Sequence, residues 1–177
     1  MPNYRRSRVE GGTYFFTVNT LSRQKQLLTR HIDALREAFR SVKSRHPYHL
    51  DALVILPYHF HMVMTLPQNS EDFSTIIRLT KSEFTKRIKF NSPNANHKSR
   101  LNRKEQLVWQ RRFWEHQIRG SDDYRRHIDY CYINPVKHGH VKKVIDWPYS
   151  TFHRDVKRGL YSLDWGGVGN YDGVFGE

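Results

Sequence analysis

The chain has 177 residues, 37% hydrophobic and 14% aromatic, with 30 Lys and Arg against 17 Asp and Glu for a formal charge of +13. That length suits one domain with a real core, and the longest apolar runs (Tyr14 to Phe16, Ala52 to Leu56) fall far short of the roughly 20 residues of a membrane-spanning helix. Cys131 stands alone, which excludes an intrachain disulfide framework; no signal-peptide segment follows the basic Arg5, Arg6 and Arg8, and the charge points to a cytoplasmic partner of nucleic acid.

Tyr14, Phe16 and Val18 alternate with Phe15, Thr17 and Asn19, which predicts a strand over 14–19. Ile32, Leu35, Phe39 and Val42 keep helical spacing and predict a helix from about His31 to Arg45, stopped by Pro47. Leu50 to Leu56 reads as a largely apolar strand, Pro57-Tyr58 as a turn, and His59 to Thr65 as a strand hairpinned to the one before. Phe73, Ile76, Ile77, Phe84 and Ile88 form one stripe of a helix over 72–88. From Asn91 to Gln106 Asn, Ser, Lys and Arg displace apolar residues, which marks a basic loop inside the domain. Phe113 to Ile118 predicts a fourth strand. Ser121 reads as an N-cap, with Asp122 and Asp123 suiting the first turn of a helix that ends near Asn134, because Pro135 disfavours helical geometry just before it. Five of the ten glycines fall in 166–177, a Gly-rich tail behind a single domain over 1–165.

Strand, helix, strand, strand, helix, strand and a further helix is the split β-α-β order of an α+β, ferredoxin-like (RRM-like) antiparallel sheet with helices on its faces. In that fold the third strand is central, so His59 to Thr65 lies mid-sheet. Residues two apart on a strand share a face, so His59 and His61 project from one side and Phe60, Met62 and Met64 from the other. The apolar trio packs under the amphipathic helices and leaves the imidazoles on a more open face. The spacing alone is weak evidence for a metal, since His138-Gly139-His140 repeats it in a turn-like context.

On the last predicted helix Tyr124, Ile128, Cys131 and Tyr132 form a core stripe, whereas Tyr130 shares a face with His127 and Asn134. Read from the helix alone, Tyr130 leaves the core face and hydrogen-bonds a helix-ending asparagine. Taken with the imidazoles, the set becomes chemical: a divalent cation held by His59, His61 and Asn134 would polarise a phosphodiester, and Tyr130 would attack it. Mixed N and O donors suit Mg²⁺ or Mn²⁺, with Mn²⁺ more tolerant of imidazole.

His59-Phe60-His61 after Leu56-Pro57, the run Arg112-Phe113-Trp114-Glu115-His116, and Asp129-Tyr130-Cys131-Tyr132-Ile133-Asn134-Pro135-Val136-Lys137-His138-Gly139 closely resemble the transposases associated with repetitive extragenic palindromes. These form a single-tyrosine branch of the HUH (histidine, hydrophobic, histidine) nucleases. Gly11 to Thr17 and Trp147 to His153 extend the resemblance over nearly the whole chain. It implies a bacterial, cytoplasmic, nucleoid-associated single-strand DNA endonuclease and strand transferase. The family's nucleophile falls on Tyr130, its histidine pair on His59 and His61, and its further polar ligand on Asn134. The implied partners are hairpin-forming palindromes, cut through a 5′-phosphotyrosine link by a monomer or homodimer. The stretch Asn91 to Arg103 looks longer than the family's pattern and bears on substrate preference.

A hairpin with a single-stranded foot needs phosphate contacts and stacking for unpaired bases. Arg154, Lys157 and Arg158 with Phe152 and Tyr161 are expected to form the base-reading end, followed by Arg5 and Arg6, and Arg111 and Arg112 form a further DNA-binding cluster. The alternative is a non-catalytic nucleic-acid-binding ferredoxin-like domain. It lacks an RNP1-like run and gives no reason for His59, His61 and Tyr130.

Overall fold

The computed structural model describes residues 8–23, 25–88 and 108–166. Its elements in chain order are β1 (Thr13–Asn19), α1 (Leu27–Arg30), α2 (Ile32–Arg45), β2 (His49–Ile55), β3 (His59–Thr65), α3 (Phe73–Arg87), β4 (Trp114–Gln117), α4 (Ser121–Lys137), a 3₁₀ turn (Val144–Asp146) and α5 (Phe152–Lys157). Arg5, Arg6, the basic stretch 91–106 and all of the Gly-rich tail but Gly166 lie outside the described residues.

Four strands pair antiparallel in the order β2-β3-β1-β4, the ferredoxin-like arrangement, with β3 and β1 central. Strand alternation then divides the interior in two. Tyr14, Phe16 and Val18 of β1 and Phe60, Met62 and Met64 of β3 face α2 and α3, meeting Leu35, Phe39, Phe73, Ile77 and Phe84. Phe15 of β1, Val63 of β3 and Ala52 and Val54 of β2 face the other way, against Ile128, Cys131 and Tyr132 of α4. Each large side chain buried here contributes about 1.5–3 kcal/mol.

β2 carries a bulge between Leu50 and Ala52. The extra residue resets the alternation, so that Leu50, Leu53 and Ile55 pack with the α2/α3 side while Ala52 and Val54 serve the α4 side. At the bulge the buried Asp51 carboxylate accepts hydrogen bonds from Tyr124 Oη (2.8 Å) on α4 and Thr65 Oγ1 (2.8 Å) on β3. The free edge of β2 is covered by 149–151, through Ile55 N to Tyr149 O (2.8 Å) and Thr151 N to Leu53 O (2.9 Å).

Three expectations are corrected. The last long helix does not end at Asn134; it runs on through Pro135 to Lys137. Proline removes only its own N–H. The carbonyls beyond are taken up by a Schellman closure, with Gly139 N on Val136 O (2.9 Å) and His140 N on Pro135 O (2.9 Å), and Gly139 at φ 70°. The N-cap is Gly120 rather than Ser121, because the backbone enters at φ 84°, a conformation that suits glycine. Nor is the imidazole face open: α4 lies across it, and His59 and His61 are 3% and 0% exposed.

Replacing Asp51 with Ala removes the acceptor shared by Tyr124 and Thr65, while Tyr124 reaches solvent and Thr65 keeps Thr13 Oγ1 at 2.8 Å. Urea unfolding followed by circular dichroism should show a loss of about 1 kcal/mol, the net worth of a hydrogen bond to a charged acceptor at a partly exposed site.

Candidate active site

His59 and His61 sit at paired positions in the middle of the sheet, opposite Asn19 and Thr17 of β1. Thr17 Oγ1 lies 2.9 Å from His61 Nδ1, which turns the ring so that its Nε2 meets His59 Nε2 at 3.2 Å. Phe15 stacks on His61 at 5.4 Å and 19°, walling one side. Burial, followed by the neighbouring His59, His138 and Lys137, holds the His61 pKa well below its ordinary value, against an opposing influence of Asn134. The ring is therefore neutral at physiological pH, the form in which imidazole ligates metals.

α4 brings the other half. Tyr130 does leave the aliphatic stripe of its helix, but into the protein rather than into solvent: it is 4% exposed, with its ring 5.2 Å from that of His61 and 5.8 Å from that of Phe15. Lys137 places its ammonium 5.0 Å from the centre of the phenol ring. One helical turn beyond Tyr130, Asn134 is fully buried; neither amide atom has a partner in good hydrogen-bonding geometry, although the amide lies close enough to His61 to favour its charged form. A buried amide is normally satisfied, and this one lies against an imidazole pair.

The stripe does not stop there. His138, four residues past Asn134, sets its ring 5.4 Å from that of His59. In the sequence it served only as a control for chance His-x-His spacing. Its place at i+4 from Asn134 and i+8 from Tyr130 was the signal that ties it to the site.

Two groups of side chains are placed to hold a divalent ion. In the first, adjacent positions on an octahedral ion with ligands near 2.1 Å lie about 3.0 Å apart, close to the separation of the two Nε2 atoms, and the Asn134 amide supplies an oxygen without a competing partner. The second comprises His116 of β4 with Asp123 and His127 of α4, all of whose ligand atoms lie within 4.8 Å of one another. These donors already engage each other: His116 Nε2 is 2.8 Å from Asp123 Oδ2, and His127 Nδ1 is 2.8 Å from Asp123 O. The two rings stack at 4.6 Å and 15°, so their in-plane lone pairs do not converge. The first group fits Mg²⁺ or Mn²⁺ better.

The expected DNA-facing cations separate on inspection. Arg111, Arg112, Lys157 and Arg158 are exposed. Arg154 is turned inward, donating to Leu50 O (2.8 Å), to Asp51 O and to the Asp155 carboxylate (2.7 Å). Phe152 is fully buried and Tyr161 Oη donates to Asp129 Oδ1 (2.6 Å), so neither serves as an open stacking surface.

An unsatisfied buried amide costs stability, so Asn134→Leu should raise the unfolding free energy of the metal-free protein by about 1 kcal/mol. Mn²⁺ should raise the melting temperature of the parent, and the same change should abolish that rise. Scanning calorimetry with and without Mn²⁺ checks both signs.

Residues 8–130 match the family model described as "Transposase IS200 like". The chain is 50% identical over 167 residues to the REP-associated tyrosine transposase of Escherichia coli (strain K12), covering 94% of this chain and 92% of that protein. A putative REP-associated tyrosine transposase of Haemophilus influenzae (strain ATCC 51907 / DSM 11121 / KW20 / Rd) is 46% identical over 94% of each. A solved REP-associated tyrosine transposase bound to a REP hairpin superposes with a TM-score of 0.84 at 48% identity, over 96% of this chain and 93% of that one. With the family model spanning well over half the sequence and half of all aligned positions identical, the chain belongs to the IS200-like transposases, in their REP-associated tyrosine branch.

Proposed function

We propose that the protein is a metal-dependent single-strand DNA endonuclease and strand transferase that acts on hairpin-forming repetitive extragenic palindromes through Tyr130. The observation that carries this reading is the juxtaposition of the Tyr130 and His61 rings at 5.2 Å, beside the converging His59 and His61 Nε2 atoms. A structural tyrosine has no need of a buried imidazole pair and a buried asparagine amide as neighbours.

The residues divide the work as follows. His59, His61 and Asn134 would hold a divalent cation, which would supply Lewis acidity to the scissile phosphate when bound. Tyr130 Oη attacks phosphorus and gives up its proton; the bond from phosphorus to the 3′-oxygen breaks, and that oxygen takes a proton to leave as a 3′-hydroxyl. The 5′-phosphate stays on Tyr130 as a phosphodiester, and a 3′-hydroxyl of another strand reverses the step. Lys137 offers positive charge beside the phenol as it loses its proton. Phe15, stacked on His61 and edge-on to Tyr130, keeps the two rings in their relative pose and excludes water from between them.

The hairpin substrate is supported by the REP hairpin bound to the solved relative and by the charge of +13. Of the described cations expected to face DNA, Arg111, Arg112, Lys157 and Arg158 are exposed, whereas Arg154 serves the fold. Among the described residues no helix is long and apolar enough to cross a membrane.

Two measurements test the reading. On a denaturing gel, a labelled single-stranded hairpin with Mn²⁺ or Mg²⁺ should give a covalent protein–DNA band that vanishes on chelation, in Tyr130→Phe and in His61→Ala. Cleavage that survives Tyr130→Phe would mean water is the nucleophile and would overturn the mechanism. Separately, about five phosphate contacts should give a log–log slope of single-strand affinity against salt near −3.5, measured by fluorescence anisotropy. A slope near zero removes the electrostatic part of the argument.

A further inference from the structure

Two concavities of similar size differ in charge. One, of about 550 Å³, is lined by the carboxylates of Asp51, Asp129 and Asp155 with a single cation, Arg125. It repels a polyanion. The other, of about 400 Å³, has His59 and His138 on its wall together with Arg23, Tyr58, Gln110 and Trp114, and no acid among its described lining residues. It adjoins the imidazole pair and falls within the roughly 300–1,000 Å³ range of small-ligand sites, too small for a duplex and suited to a single nucleotide.

Its aromatic residues are set out for contact. Trp114 stands opposite Thr17 on the edge strand β4, on the imidazole side of the sheet, with its ring 5.7 Å from Phe15. It is 38% exposed, although stacking on His116 at 6.0 Å and 7° fixes the plane of the indole. Tyr58, half-buried in the turn before β3, lies against His59 at 4.8 Å and carries the Arg23 guanidinium over its ring at 5.3 Å. No carboxylate pairs with Arg23 among the described residues. Asn19 and Gln110 are joined by their backbones, Gln110 N on Asn19 O at 3.0 Å, and place two amide side chains on the cavity lining.

We propose that this cavity is a binding site for one unpaired nucleobase, that of the nucleotide adjoining the phosphate presented to His59 and His61. Trp114 gives the base its stacking surface, since every base offers a π-face and the interaction tolerates sequence, while Tyr58, its ring held between Arg23 and His59, bounds the cavity. Arg23 takes the neighbouring phosphate, held in place by its cation–π contact. Asn19 and Gln110, each with a donor and an acceptor, read the edge of the base and make the cavity a determinant of cleavage-site choice. The proposal rests on the reading of the site given above, but it concerns binding and does not require the chemistry to occur.

The experiment is an abasic scan. A hairpin oligonucleotide carries an abasic residue at one position at a time through its single-stranded flank, and affinity is measured by anisotropy in EDTA with the parent, Trp114→Phe and Trp114→Ala. One position should weaken parent binding on the order of tenfold. Trp114→Ala should lose a similar factor on intact DNA and show no further penalty at that position, while Trp114→Phe keeps the position-specific penalty and shows that the fold is intact. Gln110→Ala should flatten the preference among the four bases there. A flat scan with the parent, or the same penalty in Trp114→Ala, overturns the proposal, even if covalent cleavage proceeds as described. A position-specific penalty in a protein that forms no adduct supports it and counts against the chemistry alone.

Discussion

The packing of α4 onto the imidazole face of the sheet is the constraint on which the rest of the structure depends. A central strand buried on both sides is normally apolar throughout. Here β3 puts two histidines on one side, and the helix that covers them must supply apolar contact and polar partners together. It does so by carrying two stripes. Ile128, Cys131 and Tyr132 seal against Phe15, Ala52, Val54 and Val63, while Tyr130, Asn134 and His138 run alongside and meet the imidazoles, and His127 packs on Phe15. The aliphatic stripe sets the depth and rotation of the helix, and the polar stripe follows from it.

A polar scaffold on the far side of α4 fixes that rotation. Tyr132 Oη donates to the Asp155 carboxylate at 2.5 Å, and Arg154 ties the same carboxylate to the β2 carbonyls of Leu50 and Asp51. Burial alone would raise the Asp155 pKa, yet the hydrogen bonds from Arg154 and Tyr132 bring it below the ordinary carboxylate value; the phenol of Tyr132 shifts upward through burial and that carboxylate. The network is thus a carboxylate, a guanidinium and a neutral phenol, paired with one another and with backbone. Its charges are internally matched, which leaves the exposed arginines and lysines elsewhere to set the long-range field.

Much of this was legible in the sequence because the signals were periodic. The alternation in 14–19 and 59–65 and the stripes in 32–45 and 73–87 each had a length and a period that admit one reading, and all four elements lie where they were expected. β2 was found, but its two faces were not readable. A run apolar on both sides has no alternation to show, and the bulge at Asp51 shifts what alternation there is. α5 and the 3₁₀ turn went unread, since six and three residues are too short for a helical period to register. At the candidate site the strand pair and Tyr130 stood out by residue type and spacing. The closeness of His138 and the inward turn of Arg154 did not, because both depend on a tertiary contact: the first on how far α4 continues past Pro135, the second on which loop covers the edge of β2.

The continuation of α4 past Pro135 also explains why a helix, rather than a loop, carries the proposed nucleophile. A shift of one residue in helical phase turns a side chain by about 100°, which would carry Tyr130 away from His61 and onto the flank of the helix. Phase is held at both ends: by Gly120 and the Asp123 carboxylate, which accepts from Arg119 N at 2.8 Å, and by the Schellman closure at Gly139. Between them, the buried aliphatic stripe admits one rotation only. The phenol is therefore aimed by contacts that never touch substrate, and so is the buried amide of Asn134. Packing contributes the stability that this arrangement gives up at Asn134, and the cost is concentrated at the point where a cation would relieve it.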